Sequence, residues 1–293
     1  MGAVWWKLTL VVLAAAVAAW ALRAAIATTQ RVRLGVVCMT KRPLDFFTWL
    51  RHHRDLGVEH FFLRIEDTPD LLDTLQRAPY KHFVTCIAGT GEREYYEQVH
   101  RQQDLVARAI CKARHVGLSH LVHIDDDELL HCPSGRPALD SFLRAAAPGT
   151  SCFVVQNVEA VFDAERCEAG VGGTTTVCTN PSAYTAYANG KSIGALHDPS
   201  LRSLGAHRFS GDAVFTPSLL LLVLHFESPC IQRWREKFES YAARNGSACL
   251  TGDIPFPFYC ESMNEPPDAT WRKWKAPSRH RREDLLEITL KSA

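Results

Sequence analysis

The sequence predicts an α/β fold in which strands and helices alternate around a parallel sheet. Four apolar runs have the length and composition of buried strands, and they occupy residues 34–38, 58–65, 82–88 and 120–124. Three helical segments lie between them, at residues 44–56, 70–78 and 95–115. Strand–helix alternation with short connections is typical of parallel sheets, which bind ligands at the carboxyl ends of their strands.

The helix boundaries follow from local signals. Apolar residues recur on one face of the first helix, and Gly57 is placed to end it. Gly117 ends the long third helix in the same way, and the apolar stripe of that helix contains one amide, Gln102. A buried amide needs hydrogen-bond partners, so Gln102 is a candidate site residue, with a place at the edge of the core as the alternative.

The second half of the chain is less regular. Apolar runs at 152–156 and 219–225 predict two further strands, whereas residues 159–191 are rich in Gly, Thr and Asn and show little periodicity. Ser228 and Pro229 provide an N-cap and a first-turn proline for another helix.

The composition is that of an ordinary folded chain. Its 293 residues are 46% hydrophobic and 22% charged, which excludes global disorder. The 33 Lys and Arg residues balance 32 Asp and Glu residues, and the net charge of +1 lacks the basic excess of a nucleic-acid-binding surface. We therefore expect no nucleic-acid partner.

The amino terminus carries a hydrophobic segment. Residues 8–22 are uncharged and apolar, and the stretch 4–27 reaches the length of about 20 residues that a membrane-spanning helix needs if Lys7 and Arg23 snorkel. We favour an uncleaved signal-anchor over a cleaved signal peptide that ends near residues 25–27. Either interpretation places the rest of the chain in the lumen of the secretory pathway.

The remaining chain is expected to form one large domain. No linker or repeat interrupts it, so we divide the sequence into a signal-anchor with a short stem (1–31), a main domain (32–250) and a C-terminal extension (251–293). The extension has a locally basic tail from Trp271. We interpret this tail as solvated surface, with a membrane- or substrate-facing patch as the alternative.

Two features agree with a lumenal location. Residues 245–247 form an Asn-Gly-Ser sequon, which makes Asn245 a candidate glycosylation site. The ten cysteines contain no C-x-x-C pair, so structural disulfides with some buried thiols are expected rather than a zinc ribbon. Short loops make Cys167–Cys178 and Cys249–Cys260 candidate pairs.

The most informative feature is a run of four acids, Asp125 to Glu128, directly after the fourth predicted strand. In extended backbone alternate side chains share a face, which places Asp125 and Asp127 together. Two carboxylates at a strand end suit a hard divalent cation that can neutralise a departing diphosphate. A solvated acidic turn and a phosphatase-type nucleophile are the alternatives, and the position after the fourth strand argues against both.

Four segments of the chain, in order, resemble the family-2-like and family-92-like glycosyltransferases. They are VVCMTKRPLDFFTWLRHHRDLGVEHFFLRIEDTPD, HRQQDLVARAICKARHVGLSHLVHIDDDELL, GKSIGALHDPSLRSLGAHRF and LVLHFESPCIQRWREKF. The resemblance spans roughly residues 34–245. It implies a GT-A fold with a Rossmann-like nucleotide-sugar-binding sheet, a nucleotide-sugar donor, Mn²⁺ or a similar cation at the D-x-D motif, and inversion at the anomeric carbon. A single-pass membrane anchor and a Golgi-lumen catalytic domain are common in the family.

The resemblance also assigns candidate roles to individual residues. Thr40 and Lys41 stand where the family often has Asn-Glu beside the nucleotide, so a base contact here is altered or made by backbone. Gln102 belongs to an Arg-Gln signature that contacts the nucleotide or braces the acidic loop, and Lys191 matches a Gly-Lys segment that could meet the diphosphate. The candidate nucleotide-sugar-binding residues are Thr40, Glu66, Asp67, Gln102, Asp125 and Lys191.

A third metal ligand and a base complete the predicted site. His207 matches a recurring histidine that completes the metal shell beside Asp125 and Asp127, and His225 is the alternative. An inverting transfer needs a base for the acceptor hydroxyl. The candidate bases are Glu227, Asp212 and Glu159, and we favour Glu227 because it follows a buried strand next to His225.

Together these features predict a membrane-anchored, metal-dependent glycosyltransferase of the hexosyltransferase type. Its partners would be a nucleotide-sugar donor, a glycan or glycoconjugate acceptor, and the membrane. The alternative is a catalytically inactive GT-A module that binds glycans or assists another transferase. The departure at Thr40 and Lys41 keeps this alternative open.

Overall fold

The computed structural model describes residues 31–91, 95–147, 149–162, 174–245, 257–276 and 279–290. The strands are β1 (Leu34–Lys41), β2 (Val58–Glu66), β3 (Val84–Gly89), β4 (His120–His123), β5 (Glu128–His131), β6 (Thr150–Val155), β7 (Asn157–Ala160), β8 (Thr176–Cys178), β9 (Lys191–Ala195), β10 (Asp212–Phe215), β11 (Leu222–His225) and β12 (Leu285–Glu287). The helices are α1 (Phe46–Asp55), α2 (Pro69–Leu75), α3 (Tyr95–His115), α4 (Arg136–Ala145), α5 (Ile231–Asn245), α6 (Pro257–Asn264) and α7 (Pro267–Trp274).

The central sheet has the strand order β10-β6-β9-β4-β1-β2-β3. Strand β1 lies between β4 and β2 and is parallel to both, and β2 is parallel to β3. The predicted parallel sheet is therefore confirmed for the first four strands. Beyond β4 the sheet is mixed, because β9 runs antiparallel to both β4 and β6. This direction places the beginning of β9 beside the carboxyl end of β4.

Side chains of β1 alternate between two apolar layers. Val36 and Cys38 pack in the layer that contains Trp49 of α1, whereas Val37 packs with apolar residues of α3. Trp49 is fully buried, and its Nε1 donates a hydrogen bond of 2.8 Å to the carbonyl oxygen of Glu128. The packing of α1 therefore constrains the backbone that follows β4.

A second sheet has the strand order β12-β8-β7-β11-β5 and lies next to the acidic run that follows β4. Strand β5 begins at Glu128, so the acidic run leads directly into this sheet. Strand β11 pairs antiparallel with β5 and parallel with β7, and the register sets His225 beside Glu128 and Glu159. The strand predicted at 219–225 is confirmed over Leu222–His225, while no sequence signal predicted β5 or β7.

Three helices near the carboxyl end pack around aromatic side chains. Trp234 and Phe238 of α5 pack with Phe258 of α6 and Trp271 of α7, and the ring centroids of Trp234 and Trp271 are 5.7 Å apart. The interpretation of the tail from Trp271 as solvated surface is wrong for Trp271 and Lys275, which are buried. It is confirmed for the basic residues Arg272, Lys273, Arg281 and Arg282, which are exposed. The aromatic packing attaches this part of the extension to α5.

Some predicted features lie outside the described residues. These are the hydrophobic segment at 8–22 with the rest of the proposed anchor, and the Gly246 and Ser247 that complete the sequon of Asn245. Within the part of the chain that the structure describes, no helix combines the length and the apolar character needed to cross a membrane.

The described cysteines include buried free thiols, as expected, and Cys260 is disulfide-bonded. Cys178 is a free, buried thiol, so the Cys167–Cys178 pairing is wrong. Cys249 lies outside the described residues, and its pairing with Cys260 stays a prediction. Further free thiols are those of Cys38, Cys86, Cys111, Cys132 and Cys152.

Candidate active site

A cavity of about 630 Å³ lies at the carboxyl ends of β1, β2 and β4. Its lining includes Thr40 near the end of β1, Glu66 at the end of β2, and the acidic turn after β4. Helix α5 adds Arg233 and Lys237 to the lining. The cavity therefore occupies the edge of the parallel strands where such sheets bind their ligands.

The acidic run is a turn and not extended backbone. The amide of Glu128 donates to the carbonyl oxygen of Asp125 at 3.2 Å, and the amide of Asp125 donates to Oε2 of Glu128 at 2.7 Å. The expected alternation of faces is therefore wrong. Asp125 and Glu128 both contact Lys191. Asp126 contacts Thr40 instead, and Asp127 lies near His225.

Asp125 is held by Lys191 and Gln102. The Nζ of Lys191 lies 2.5 Å from Oδ2 of Asp125 and 3.3 Å from Oε2 of Glu128. Gln102 donates to Oδ1 of Asp125 at 3.3 Å, as expected of a residue that braces the acidic loop. Burial opposes the charge on Lys191, but Asp125 and Glu128 raise its pKa above the ordinary value. Lys191 has no exposed surface and lies behind the cavity lining.

Glu128 is fully buried and is contacted by Tyr187, which donates a hydrogen bond to Oε1. Burial raises the pKa of Glu128 to about 6, although Lys191 opposes the shift. The ring of Tyr187 also packs on His207 and His225, with centroid distances of 4.5 and 4.7 Å. Tyr187 therefore connects Glu128 with two predicted site residues, His207 and His225. It was missed because residues 159–191 show no periodic signal.

Asp126 is the partner of Thr40. The Oγ1 of Thr40 donates to Oδ2 of Asp126 at 2.5 Å, and both residues line the cavity. Burial, followed by the charge of Asp127, raises the pKa of Asp126 to about 7. The contact attaches the end of β1 to the acidic turn.

Asp127, His225 and Glu227 form a group with the composition of a metal site. Each offers a ligand atom within 4.8 Å of the others. The Nε2 of His225 lies 3.7 Å from Oδ2 of Asp127 and 3.8 Å from Oε2 of Glu227. These distances are too long for hydrogen bonds and match the roughly 3 to 4 Å between two ligands of one cation. The Nδ1 of His225 is buried without a hydrogen-bond partner in the described part of the chain. Carboxylate and imidazole ligands fit a divalent transition metal.

Glu227 also forms strong charge contacts of its own. Lys237 donates to both carboxylate oxygens at 2.7 Å, and Ser228 donates to Oε1 at 2.6 Å. Burial opposes ionisation of Glu227, but Lys237 and His225 lower its pKa to about 2. A carboxylate with so low a pKa is a weak general base.

The two other candidate bases are not among the residues that line the cavity. Glu159 is buried and accepts hydrogen bonds from the amides of Thr185 and Ala186 at 2.6 and 3.1 Å. Asp212 is exposed at the start of the edge strand β10. The structure thus brings Glu227 to the cavity and leaves Glu159 and Asp212 elsewhere.

His207 lines the cavity but lies outside the metal-like group. Its Nδ1 donates to the carbonyl oxygen of Gly190 at 2.9 Å. Burial, followed by the charge of Lys191, lowers the pKa of His207 to about 4. The geometry groups His225, the predicted alternative, with Asp127.

Glu66 and Asp67 are both paired with cations. Arg64 and Arg101 donate to Oε1 of Glu66 at 2.6 and 2.7 Å. The Nζ of Lys41 lies 2.7 Å from Oδ2 of Asp67, and this hydrogen bond lowers the pKa of Asp67. Glu66 and Arg101 line the cavity, whereas Asp67 lies beside it.

Arg233 is a cavity residue that sequence reasoning missed. Its NH1 donates to the carbonyl oxygen of Arg42 at 2.8 Å, and its NH2 donates to that of Lys41 at 3.4 Å. Its NH1 lies 3.7 Å from Oε2 of Glu236. The helix that carries Arg233 could be predicted from its apolar face, which includes Trp234. The surface against which this helix packs could not be predicted, so nothing in the sequence placed Arg233 at the cavity.

Comparisons with known proteins give one distant relative in sequence. No family model matches the chain. A glycosyltransferase-like protein of Arabidopsis thaliana is 27% identical over an alignment of 208 residues, and the match covers 55% of this chain and 45% of that protein. The match therefore spans less than half the length of this relative.

Similarity to solved structures is weaker. HddC from Yersinia pseudotuberculosis has a TM-score of 0.35 and 10% identity, over 66% of this chain and 93% of that chain. The same protein complexed with GMP-PN has a TM-score of 0.33 and 10% identity, over 65% and 92% of the two chains. TM-scores below 0.5 carry no argument about function. The sequence match to a glycosyltransferase-like protein is the similarity that bears on function.

Proposed function

We propose that the chain is a glycosyltransferase that moves a sugar from a nucleotide-diphosphate donor to a hydroxyl of a glycan or glycoconjugate. The distant glycosyltransferase-like relative supports glycosyl transfer as the reaction class. The observation that carries the proposal is the meeting of Asp127, His225 and Glu227 in the same cavity as Arg233. Carboxylates for a cation beside a fixed positive charge suit a diphosphate leaving group.

The proposed fold is of the GT-A type, with a Rossmann-like half that binds the nucleotide. The parallel order β3-β2-β1-β4 and the cavity at the carboxyl ends of these strands support the assignment. Thr40 and Gln102 would then lie beside the nucleotide, since both line the cavity next to the acidic turn.

The proposed reaction depends on a divalent cation, Mn²⁺ or a similar ion, which would neutralise charge on the departing diphosphate. Asp127 and His225 would hold this ion, with Glu227 as a third neighbour. Arg233 adds a fixed positive charge to the same cavity. The low pKa of Glu227 favours this role over its predicted role as the base. Inversion at the anomeric carbon remains part of the proposal.

The experiment is a donor screen on the full chain with Mn²⁺, followed by analysis of the product linkage. We expect transfer or slow hydrolysis with one class of nucleotide sugar, and loss of this activity in EDTA. Asp127→Asn should lower turnover at least about 100-fold. The matched control is Asp104→Asn, which removes a half-exposed carboxylate that lies 2.9 Å from Arg108 on α3. It should leave turnover unchanged.

Two outcomes would contradict the proposal in different ways. Absence of transfer and hydrolysis with every donor, without binding of any nucleotide sugar, would exclude a nucleotide-sugar enzyme. Binding of a nucleotide sugar without turnover would favour the catalytically inactive GT-A module that binds glycans or assists another transferase.

We further propose that residues 1–31 anchor the chain in a secretory membrane and that the catalytic domain lies in the Golgi lumen. Asn245 ends α5, and its glycosylation would report exposure to the lumen. Endoglycosidase treatment should increase the mobility of the wild-type chain on a gel but not that of Asn245→Gln. Carbonate extraction should leave an anchored chain in the membrane fraction, and release of the chain would contradict the anchor.

A further inference from the structure

Lys191 differs from the cations that line the cavity. It is fully buried at the first position of β9. An ammonium has three donors, and three acceptors surround this one. They are Oδ2 of Asp125 at 2.5 Å, Oε2 of Glu128 at 3.3 Å and the carbonyl oxygen of Ala206 at 3.3 Å. A buried charge persists only with such partners, so Lys191 is a fixed internal counter-ion.

The turn before β9 fixes where Lys191 lies. Gly190 has a φ of +61°, and a Cβ there would lie 2.0 Å from the carbonyl oxygen of Val155. The amide of Gly190 donates to Oδ1 of Asn157 at 3.1 Å. Because β9 runs antiparallel to β4, this turn delivers the lysine to the carboxyl end of β4.

The carboxylates of the acidic turn differ in whether they contact Lys191. Asp125 and Glu128 contact its ammonium, and Glu128 also accepts from Tyr187. Asp127 is held elsewhere, because its carbonyl oxygen accepts from the amide of Phe226 at 2.8 Å and its carboxylate approaches His225. A cation that enters the cavity therefore meets Asp125 already neutralised.

We propose that Lys191 is a positioning residue whose ammonium pairs with the carboxylate of Asp125 from the protein interior. Asp125 is therefore not free to bind the cation, and Asp127 and His225 bind it instead. The inference rests on the cation site of the proposed function and specifies which carboxylate of the acidic turn binds the cation. Asp125 supports the turn and is not a cation ligand.

The first test is a titration of Mn²⁺ alone into the full chain, followed by electron paramagnetic resonance. Asp125→Asn should bind Mn²⁺ within about threefold of the wild-type affinity, because its charge is already matched inside the protein. Asp127→Asn and His225→Gln should each weaken binding at least about 30-fold, because each removes a proposed ligand, which costs more than the roughly 10-fold minimum for a residue that only supports a ligand. Equal losses in Asp125→Asn and Asp127→Asn would overturn the inference.

The second test addresses Lys191 itself. Lys191→Met leaves the buried carboxylate of Glu128 and the partly buried carboxylate of Asp125 without their counter-ion. It should lower the folding equilibrium constant at least about 100-fold. Adding Glu128→Gln removes one of these charges and should recover at least tenfold of the loss. In this double variant Asp125 is released to the cation, so Asp125→Asn should now weaken Mn²⁺ binding more than tenfold. An Asp125→Asn effect as small as in the wild-type background would overturn the inference.

The outcomes separate this inference from the proposed function. A wild-type chain that turns over a nucleotide sugar and binds Mn²⁺ equally through Asp125 and Asp127 contradicts the role of Lys191 alone. A wild-type chain that binds no Mn²⁺ overturns both the cation dependence and the inference. Turnover that fails with every donor, while Mn²⁺ binding follows the expected pattern, contradicts the proposed function and supports the role of Lys191.

Discussion

The indole Nε1 of Trp49 donates a hydrogen bond of 2.8 Å to the carbonyl oxygen of Glu128. Trp49 is fully buried in α1, with its ring centroid 5.7 Å from that of Phe61 in β2. One directional contact therefore joins the apolar core to the last residue of the acidic turn. Because a buried carbonyl without a donor costs about 1–3 kcal/mol, the core helps to determine the shape of the turn.

Trp49→Phe tests this connection. The variant loses the hydrogen bond and part of the buried volume, so we expect the free energy of unfolding in urea to fall by about 2–4 kcal/mol. The control is Trp274→Phe, since Nε1 of the half-buried Trp274 in α7 donates to Glu261 of α6 at 2.9 Å. This control should cost less than about 1.5 kcal/mol. Equal losses in the free energy of unfolding would show that the hydrogen bond to Glu128 stabilises the fold no more than the one to Glu261.

Gly190→Ala tests the turn that delivers Lys191. The new Cβ would lie 2.0 Å from a backbone oxygen at a φ of +61°, so the backbone must move. We expect a loss of more than about 3 kcal/mol in the free energy of unfolding. Gly205→Ala is the matched control, because Gly205 has a φ of +98° but nothing within 4 Å of the new Cβ. It should cost only the conformational strain, about 1–2 kcal/mol. A Gly205→Ala loss as large as that of Gly190→Ala would contradict the steric argument.

Arg233→Gln tests the positive charge that Arg233 contributes to the cavity lining. The variant loses a cavity-lining charge and the hydrogen bonds to the carbonyl oxygens of Lys41 and Arg42. Calorimetric titration with nucleoside diphosphates should show affinity at least tenfold weaker, which is about 1.4 kcal/mol. Arg235→Gln, two residues along the same helix, removes an arginine that is 48% exposed and pairs with Asp268 at 2.5 Å. Its affinity should match the wild type, and a similar loss in both variants would indicate a general charge effect.

The parallel half of the fold could be predicted because its signals are local. Helix α3 has the predicted bounds Tyr95–His115, since a long apolar stripe and Gly117 define it within one continuous segment. The acidic turn was found for the same reason, because four acids directly follow a buried strand. These inferences need no knowledge of what packs against the segment.

The other half of the site depends on pairings between distant segments. Lys191 reaches Asp125 through the antiparallel pairing of β9 with β4, and His225 reaches the turn through the register of β11 against β5. The choice between His207 and His225 follows from that register and not from either local sequence. The face shared by Asp125 and Asp127 was predicted from extended backbone, and the hydrogen bonds of a turn replaced it.

His53 supplies a pH-dependent contribution to stability. It is fully buried in α1, and its Nε2 accepts from the amide of Leu130 at 3.1 Å. Its Nδ1 therefore carries the proton and donates to the carbonyl oxygen of Trp49 at 2.8 Å. Burial lowers the pKa of His53 to about 3. A second proton would charge a buried ring and break the bond to Leu130, which lies two residues after Glu128.

The consequence is a loss of stability in acid. Since the folded-state pKa of His53 is lowered, its contribution is complete above the unfolded-state pKa of about 6.5 and declines as the pH falls toward 3. Between pH 7 and pH 5 the unfolded chain gains a proton that the folded chain excludes, which costs about 2 kcal/mol. Urea unfolding at both pH values should show a decrease of stability in the wild type and a decrease smaller by about 2 kcal/mol in His53→Gln. His115→Gln, at an exposed position at the end of α3, should retain the wild-type decrease, because its ring is solvated in both states. An unchanged pH dependence in His53→Gln would show that another buried group accounts for the loss.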